Sequence, residues 1–335
     1  MLIKSITLTN FRNHTHYHLD CQDNTTLILG KNGCGKTSVL EAIYILTRGK
    51  SFRASDPDII KRETNFYRIE LVSDTGEKSV ATFDGETKIF TIMDKKSRRL
   101  PKTHKHPVVL FLPSDLNLIS GSPSRHRDYF DRLFSELDEK YASSLSKYEK
   151  SLRQRNELLK TDTVKNSDLF SWNLLLAKYG SYIKEARESF VNYINKDLEK
   201  TYFQVANHED HLTLNYQTEI LKNSEDFYLK NLEASLEKDL YSKHTNFGIH
   251  RDDFIFFFNR KPADGSASRG ETRSIILALK FIEANMMKDF LHQKPLVLLD
   301  DVFSELDDTR RKALIKNFKH HQIILTSVED VNLNY

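Results

Sequence analysis

Two short stretches hold the residues best suited to chemistry. In TTLILGKNGCGKTSVLEAIYIL, from Thr25, an apolar strand at Leu27 to Leu29 runs into Gly30, Lys31, Asn32, Gly33, Cys34, Gly35, Lys36 and Thr37. This fits G-x-x-x-x-G-K-[ST], in which glycines let backbone N–H groups wrap a phosphate. Val39, Leu40, Ile43 and Leu46 recur at helical spacing, so a helix follows and its N-terminus adds positive potential. The pattern sends Lys36 to the β- and γ-phosphates and the Thr37 hydroxyl to Mg²⁺, with Ser38 in the helix's first turn. In the second stretch, LVLLDDVFSELDD, an apolar strand from Leu296 ends in two adjacent acids. Such a pair needs a neutralising partner if both are to stay ionised. With a phosphate loop in the same chain, Asp300 reads as the acid holding Mg²⁺ and Asp301 as the carboxylate that activates water.

The elements that must position these groups are widely spread. The chain has 335 residues, 39% apolar and 29% charged, enough for one large domain or two smaller ones. No apolar run approaches the roughly 20 residues of a membrane span. MLIKSITLTNF alternates like a strand, and Cys21 and Cys34 offer neither a disulfide framework nor metal spacing, so a reduced cytoplasmic setting fits. A net charge of +3 means that nucleic acid would have to be met by a local basic surface.

The phosphate loop and the acid strand lie about 260 residues apart, which implies an ATPase head split by an insertion. The expected division is 1–120 with 246–335 as the head and 121–245 as an inserted, mainly helical lobe. From Arg127, residues Phe130, Leu133, Leu137, Tyr141, Leu145, Tyr148 and Leu152 predict one amphipathic helix to about Leu159. After KTDTVKNSD, a second run from Trp172 to Leu198 predicts a partner helix packed antiparallel. HLTLNYQ reads as a strand, Ser224 to Tyr241 as a helix, and residues 66–92 as antiparallel strands turned at Asp74-Thr-Gly76 and Asp84-Gly85.

A third motif, ADGSASRGETRSIILALKFIEA, puts Ser268 and Gly270 at the start of a helix. A serine N-cap explains this as well as a phosphate grip does. Its place before the acid strand resembles the signature motif of ABC-type ATPases. The chain as a whole resembles the RecF family of SMC-like ABC ATPases, through LTNFRNH, GKSFR, FLPSDLNLISGSPSRHRDYFD, NFGIHRDDF and LLDDVFSELDDTRRKAL. It departs from that pattern at Ser114, where an acid is usual, at His126-Arg127, where arginines are paired, at Ile249, in place of proline, and at Glu271, in place of glutamine.

The resemblance implies an α/β fold, an ABC-type P-loop head of mixed sheet and flanking helices carrying a helical arm. It implies ATP and Mg²⁺ as cofactors and an ATP-dependent homodimer on DNA at single-strand/double-strand junctions of gapped duplex. RecO and RecR are the implied partners in loading RecA, with slow hydrolysis and no membrane. Ser268 and Gly270 would then reach the other subunit's γ-phosphate, and Ser304 to Asp307 would line the dimer seam. Arg12 either approaches the nucleotide or is a surface charge. Arg251, Asp252 and Asp253 form either a salt-bridged turn or a binding element. Lys95, Lys96, Arg98, Arg99, Lys102 and Lys105 are candidates for DNA phosphate contacts, or simply a solvated hairpin. The rival readings are a transporter-type ABC subunit, an SMC-like structural ATPase and a small-molecule P-loop kinase, in the last of which the signature-like segment and SELD would have no purpose. Against the first, Thr326-Ser327 stands where a switch histidine would be expected; against the second, the helices are too short for a long coiled arm.

Overall fold

The alternation of the N-terminal segment becomes β1 (Ile3–Phe11), which turns Ile3, Ile6, Leu8 and Phe11 into the core. A turn at Arg12 and Asn13 returns the chain as β2 (His14–Asp20), pairing Phe11 with His14. β3 (Thr25–Leu29) then leads through the phosphate loop into α1 (Lys36–Arg48), and Gly49 in the left-handed region ends that helix. β4 (Tyr67–Ser73), β5 (Lys78–Phe83), β6 (Lys88–Ile92) and β7 (Lys95–Ser97) extend an antiparallel sheet in the order β2-β1-β4-β5-β6-β7. The strands expected over residues 66–92 are therefore present, with their turns at the expected glycines. This is a computed structural model that describes residues 1–161, 163 and 165–329.

β8 (Val108–Phe111) belongs to the other sheet of the same unit. The chain next forms α2 (Pro123–Leu137), α3 (Glu139–Leu159), α4 (Asn166–Ala206), β9 (Leu212–Gln217), α5 (Glu225–Ala234) and α6 (Leu236–Ser242). β10 (Asp253–Phe258), β11 (Lys261–Pro262), a single turn α7 (Ala263–Ser266) and α8 (Arg269–Leu291) follow. The last elements are β12 (Leu296–Leu299), α9 (Asp308–Phe318) and β13 (Ile323–Ser327).

Residues 1–116 with 283–335 form one compact unit and residues 117–282 another. The first carries the parallel sheet β3-β13-β12-β8, whose strands are short apolar runs, almost wholly buried in β8, β12 and β13. β13 lies between β3 and β12, pairing Leu27 with Leu325 and Leu299 with Leu325. The C-terminal ends of β3 and β12 are thus one strand apart, although their sequences are far apart. Open parallel sheets bind ligands at this edge.

The second unit is helical apart from β9, β10 and β11. The sequence grouped residues 246–282 with the head. Here β10 pairs antiparallel with β9 from Asp253↔Gln217 to Phe258↔Leu212, which ties that stretch to the second unit. The single helix expected from Arg127 to Leu159 is two, because the Asp138 carboxylate accepts from the N–H groups of Lys140 and Tyr141 and starts α3 afresh. The helix expected over 224–241 is likewise divided at Ser235. α3 and α4 do run antiparallel: Lys140 lies over Tyr182, Lys147 over Tyr179, and Arg155 bonds Asn173. The break expected at KTDTVKNSD includes Asp162 and Val164, which lie outside the described residues.

The NFGIHRDDF segment is a buried knot in this unit. Gly248, at φ 136°, lets two tyrosines close in: a Cβ there would meet the Tyr228 hydroxyl at 2.3 Å and that of Tyr148 at 2.5 Å. The Ile249 N–H donates to Tyr228, whose hydroxyl pairs with Tyr148 at 2.8 Å; Tyr148 donates to His250 Nδ1, and His250 Nε2–H donates to Thr245 O. The Tyr148 bond to Nδ1 requires a neutral imidazole, because a protonated ring has no lone pair there to accept it. Burial foremost, with Arg251 and Arg127 adding, lowers the His250 pKa from 6.5 to about 4, against the opposing bond to Thr245. Since the folded value lies below the unfolded one, this stabilisation is complete above 6.5 and is lost as pH falls through about 4. Its loss is expected to cost about 3 kcal/mol. Denaturant unfolding of the wild type and of His250→Gln at pH 7 and pH 4.5 checks this: the pH dependence should be shallower in the variant. His106, pushed to about 4 by burial, leaves it a residual slope.

Candidate nucleotide site

The parallel-sheet edge assembles the two halves of the motif. Thr37 Oγ1 donates to both carboxylate oxygens of Asp300, at 2.8 and 2.9 Å, across 263 residues of sequence. Thr326, at the end of the intervening β13, donates its hydroxyl to Asp300 Oδ1 at 2.9 Å and accepts the Asp301 N–H at 2.9 Å. Asp300 is only 8% exposed. A buried carboxylate beside a threonine hydroxyl is a hard oxygen pair of the kind Mg²⁺ selects, so Thr37 and Asp300 fit the metal the sequence implies.

The loop itself is held from outside by the β1–β2 turn. Asn13 Nδ2 donates to Gly33 O at 3.1 Å, and His14 Nε2 to Gly35 O at 3.1 Å. Lys36 is 8% exposed and reaches back across the loop to Gly30 O at 2.6 Å and Lys31 O at 3.2 Å. A pocket of about 790 Å³ opens over the loop. Arg12, Asn32, Gly33, Gly35, Lys36, Thr37, Ser38, Asp300 and Asp301 line it, so most of the expected site residues converge there. Gly30, Lys31 and Cys34 belong to the same loop, and Cys34 is an exposed free thiol.

Arg12 sits in the left-handed region at φ 57°, where its side chain forms a bidentate pair with Glu41 at 2.9 and 2.7 Å. Glu41 is fully buried on α1. It also accepts from Arg53 Nε at 3.0 Å and from the Ser51 hydroxyl at 2.6 Å. Burial works to raise its pKa, but the bonds from Arg12, Ser51 and Arg53 outweigh it and hold the carboxyl below the ordinary glutamate value. Asn13, His14, Glu41 and Arg53 carry no individual signal in the sequence, and Thr326 stands out there only as the residue in place of a switch histidine. FRNH and GKSFR were noticed only as resemblances, and nothing local marked Thr326 as a partner of Asp300.

Ser268 and Gly270 belong to the second unit. Ser268 caps α8 with Glu271: the Ser268 hydroxyl accepts the Glu271 N–H at 3.3 Å, and the Glu271 carboxylate accepts the Ser268 N–H at 2.6 Å. The glutamate that departs from the family pattern is therefore directed back onto the helix start. The six basic residues at 95–105 are all exposed. Lys95 and Lys96 lie consecutively on the edge strand β7, so their side chains leave on opposite faces, where lysines also discourage edge-to-edge pairing. Lys102 opens a separate helical turn, and Lys105 follows it.

The family described as "AAA ATPase domain" matches residues 1–313. The protein named "DNA replication and repair protein RecF" from Clostridioides difficile (strain 630) is 34% identical, with the alignment covering 98% of this chain and 92% of that one. The protein of the same name from Streptococcus agalactiae serotype V is 33% identical, over 99% and 93%. This chain belongs to the RecF family. A solved "Structure of the recombination mediator protein RecF-ATP in RecFOR pathway" superposes with a TM-score of 0.88 at 29% identity, over 99% of this chain and 93% of that one. An SMC head bound to a winged-helix domain of ScpA matches at a TM-score of 0.53 and 15% identity, a likeness of fold alone. The fold expected from the RecF resemblance, an ABC-type ATPase head with flanking helices and a mainly helical insertion, is the one observed. Among the described residues, no helix is long and apolar enough to cross a membrane.

Proposed function

We propose that this RecF-family chain is an ATP-switched DNA clamp of recombinational repair and replication, working in the cytoplasm. The observation that carries the reading is the meeting of Thr37 and Asp300 beside a phosphate loop, in a family with an ATP-bound relative of the same fold. In this reading the loop amides and Lys36 hold the triphosphate, and Thr37 and Asp300 hold Mg²⁺. The metal, when bound, neutralises charge building on the phosphates. Asp301, at the pocket wall, orients or deprotonates the attacking water, so slow hydrolysis ends the bound state.

Dimer formation would bring Ser268 and Gly270 of each copy to the nucleotide of the other, with Ser304 to Asp307 along the seam. The Ser268 hydroxyl accepts within its own cap and still has a proton to donate. DNA at single-strand/double-strand junctions, with RecO and RecR as partners in loading RecA, completes the role. The exposed lysines and arginines at 95–105 would add salt-sensitive, sequence-tolerant phosphate contacts.

Light scattering of Asp301→Asn with ATP and Mg²⁺, with and without gapped duplex DNA, tests the clamp. Removing the water-activating carboxylate is expected to trap an ATP-dependent dimer. A protein that stays monomeric at saturating ATP and DNA would sink the clamp and leave Ser268 as a helix cap.

A further inference from the structure

We propose that Glu41 is a positioning residue for nucleotide binding and that Arg53, which it orients, is a second arginine contacting the phosphate chain. The proposal rests on the ATP reading above and adds two residues to it. Glu41 lies one helical turn after Thr37 and is the only fully buried carboxylate of α1. A carboxylate there is costly unless it is paired and hydrogen-bonded. Two guanidinium groups and one hydroxyl surround it, so one negative charge serves two positive ones and the cluster keeps a surplus cation.

That surplus faces the pocket over the loop. Arg12 and Arg53 both line it, with side chains 22% and 36% exposed, while Glu41 is at 0%. Arg12 is largely satisfied: Nε and Nη2 are on Glu41, and Nη1 donates to Asp58 O at 3.0 Å. Arg53 is less so. Its Nε and Nη2 lie 3.0 and 2.9 Å from Glu41 Oε2, and Nη2 also reaches the Ser38 hydroxyl at 3.3 Å, a long contact that an anion could replace. Ser38 follows the threonine assigned to the metal, at the helix N-terminus whose amides cradle the α- and β-phosphates of a bound nucleotide. Arg53 therefore stands at the α/β end of the phosphate chain, apart from Lys36 at the β/γ end. The ligand class follows from this placement: nucleoside diphosphates gain as much from Arg53 as triphosphates do.

The test measures binding of fluorescent ADP and ATP analogues to wild type, Arg53→Gln, Glu41→Gln and the double variant, with melting temperatures recorded without nucleotide. Losing a charge-assisted contact should weaken ADP and ATP alike by about 10- to 100-fold in Arg53→Gln. Glu41→Gln should weaken both as well, and the double variant should lose less than the product of the two singles. Arg53→Gln binding ADP within twofold of wild type would overturn the proposal. So would a loss confined to ATP, or a Glu41→Gln loss that multiplies independently with that of Arg53→Gln. Should Glu41→Gln fail to fold, Arg53→Gln alone decides. A wild type that binds neither nucleotide would instead sink the ATP reading itself.

Discussion

Replacing Arg187 with methionine is expected to destabilise the second unit by about 3–5 kcal/mol, the cost of removing one partner from a buried ion cluster. Arg187 projects from the middle of α4 and is 1% exposed. Its guanidinium spans Asp131 of α2, at 2.8 to 3.1 Å, and Asp252, at 3.3 Å, and it also donates to Ile249 O at 2.8 Å. Three parts of the chain are therefore joined through one side chain. Methionine fills a similar volume but leaves Asp131 and Asp252 without the cation that bridges them, with the charge of Arg127 nearby as partial compensation. Burial already raises the Asp252 pKa, while Arg187 and the Tyr216 hydroxyl pull it back. Removing Arg187 should raise it further, so the carboxyl takes up a proton in the folded variant. A folded-state pKa raised above the unfolded one destabilises at high pH, and the penalty is relieved as pH falls through the folded value. Calorimetry should thus find a melting temperature lowered by roughly 2–4 °C per kcal/mol, with a larger deficit at pH 8 than at pH 5.5. A deficit independent of pH would mean that the cost lies in packing and not in stranded charge.

The same cluster shows where the sequence stopped being readable. HRDD was visible as a motif, and a salt-bridged turn was one of two readings left open. Its cation, however, comes from a helix some 60 residues earlier, whose pattern marked Arg187 only as one polar residue among apolar neighbours. Local signals worked wherever the physics is local: the glycine loop between strand and helix, the hairpin turns, the period of α4. They failed at Asp138, because the three-and-four spacing of Leu137, Tyr141 and Leu145 continues across a cap that restarts the helix. They failed again at β10, since only the distant partner strand β9 assigns it to the second unit. In the nucleotide site, the motif residues were legible because phosphate chemistry restricts residue types. Their supports were not, because a histidine or asparagine that braces a loop through space follows no spacing rule.

Those supports matter most for Gly35→Ala, which is expected to weaken ATP binding by more than about 100-fold while leaving the first unit folded. Gly35 is the N-cap of α1 at φ 102°, a conformation that costs an L-residue about 1–2 kcal/mol. Space is also short, since an added Cβ would lie 2.3 Å from His14 Nε2 and 2.4 Å from Asn13 Oδ1. Both side chains can swing aside, but they are the ones that hold the loop through Gly35 O and Gly33 O. Alanine therefore either releases the loop from its brace or shifts the amides that should meet the phosphates. Several charge-assisted bonds weaken together, each carrying about 1.5–3 kcal/mol. The stabilisation that saturating ATP gives the wild type, about 2.7 kcal/mol at a hundred times Kd, should vanish in the variant. The double variant Asn13→Ala/His14→Ala, with Gly35 kept, separates the two causes. A loss as large as that of Gly35→Ala would place the fault in the released brace, and binding close to wild type would place it in the shifted backbone amides. A single variant that binds ATP within a few-fold of wild type would mean that this loop does not cradle the phosphates.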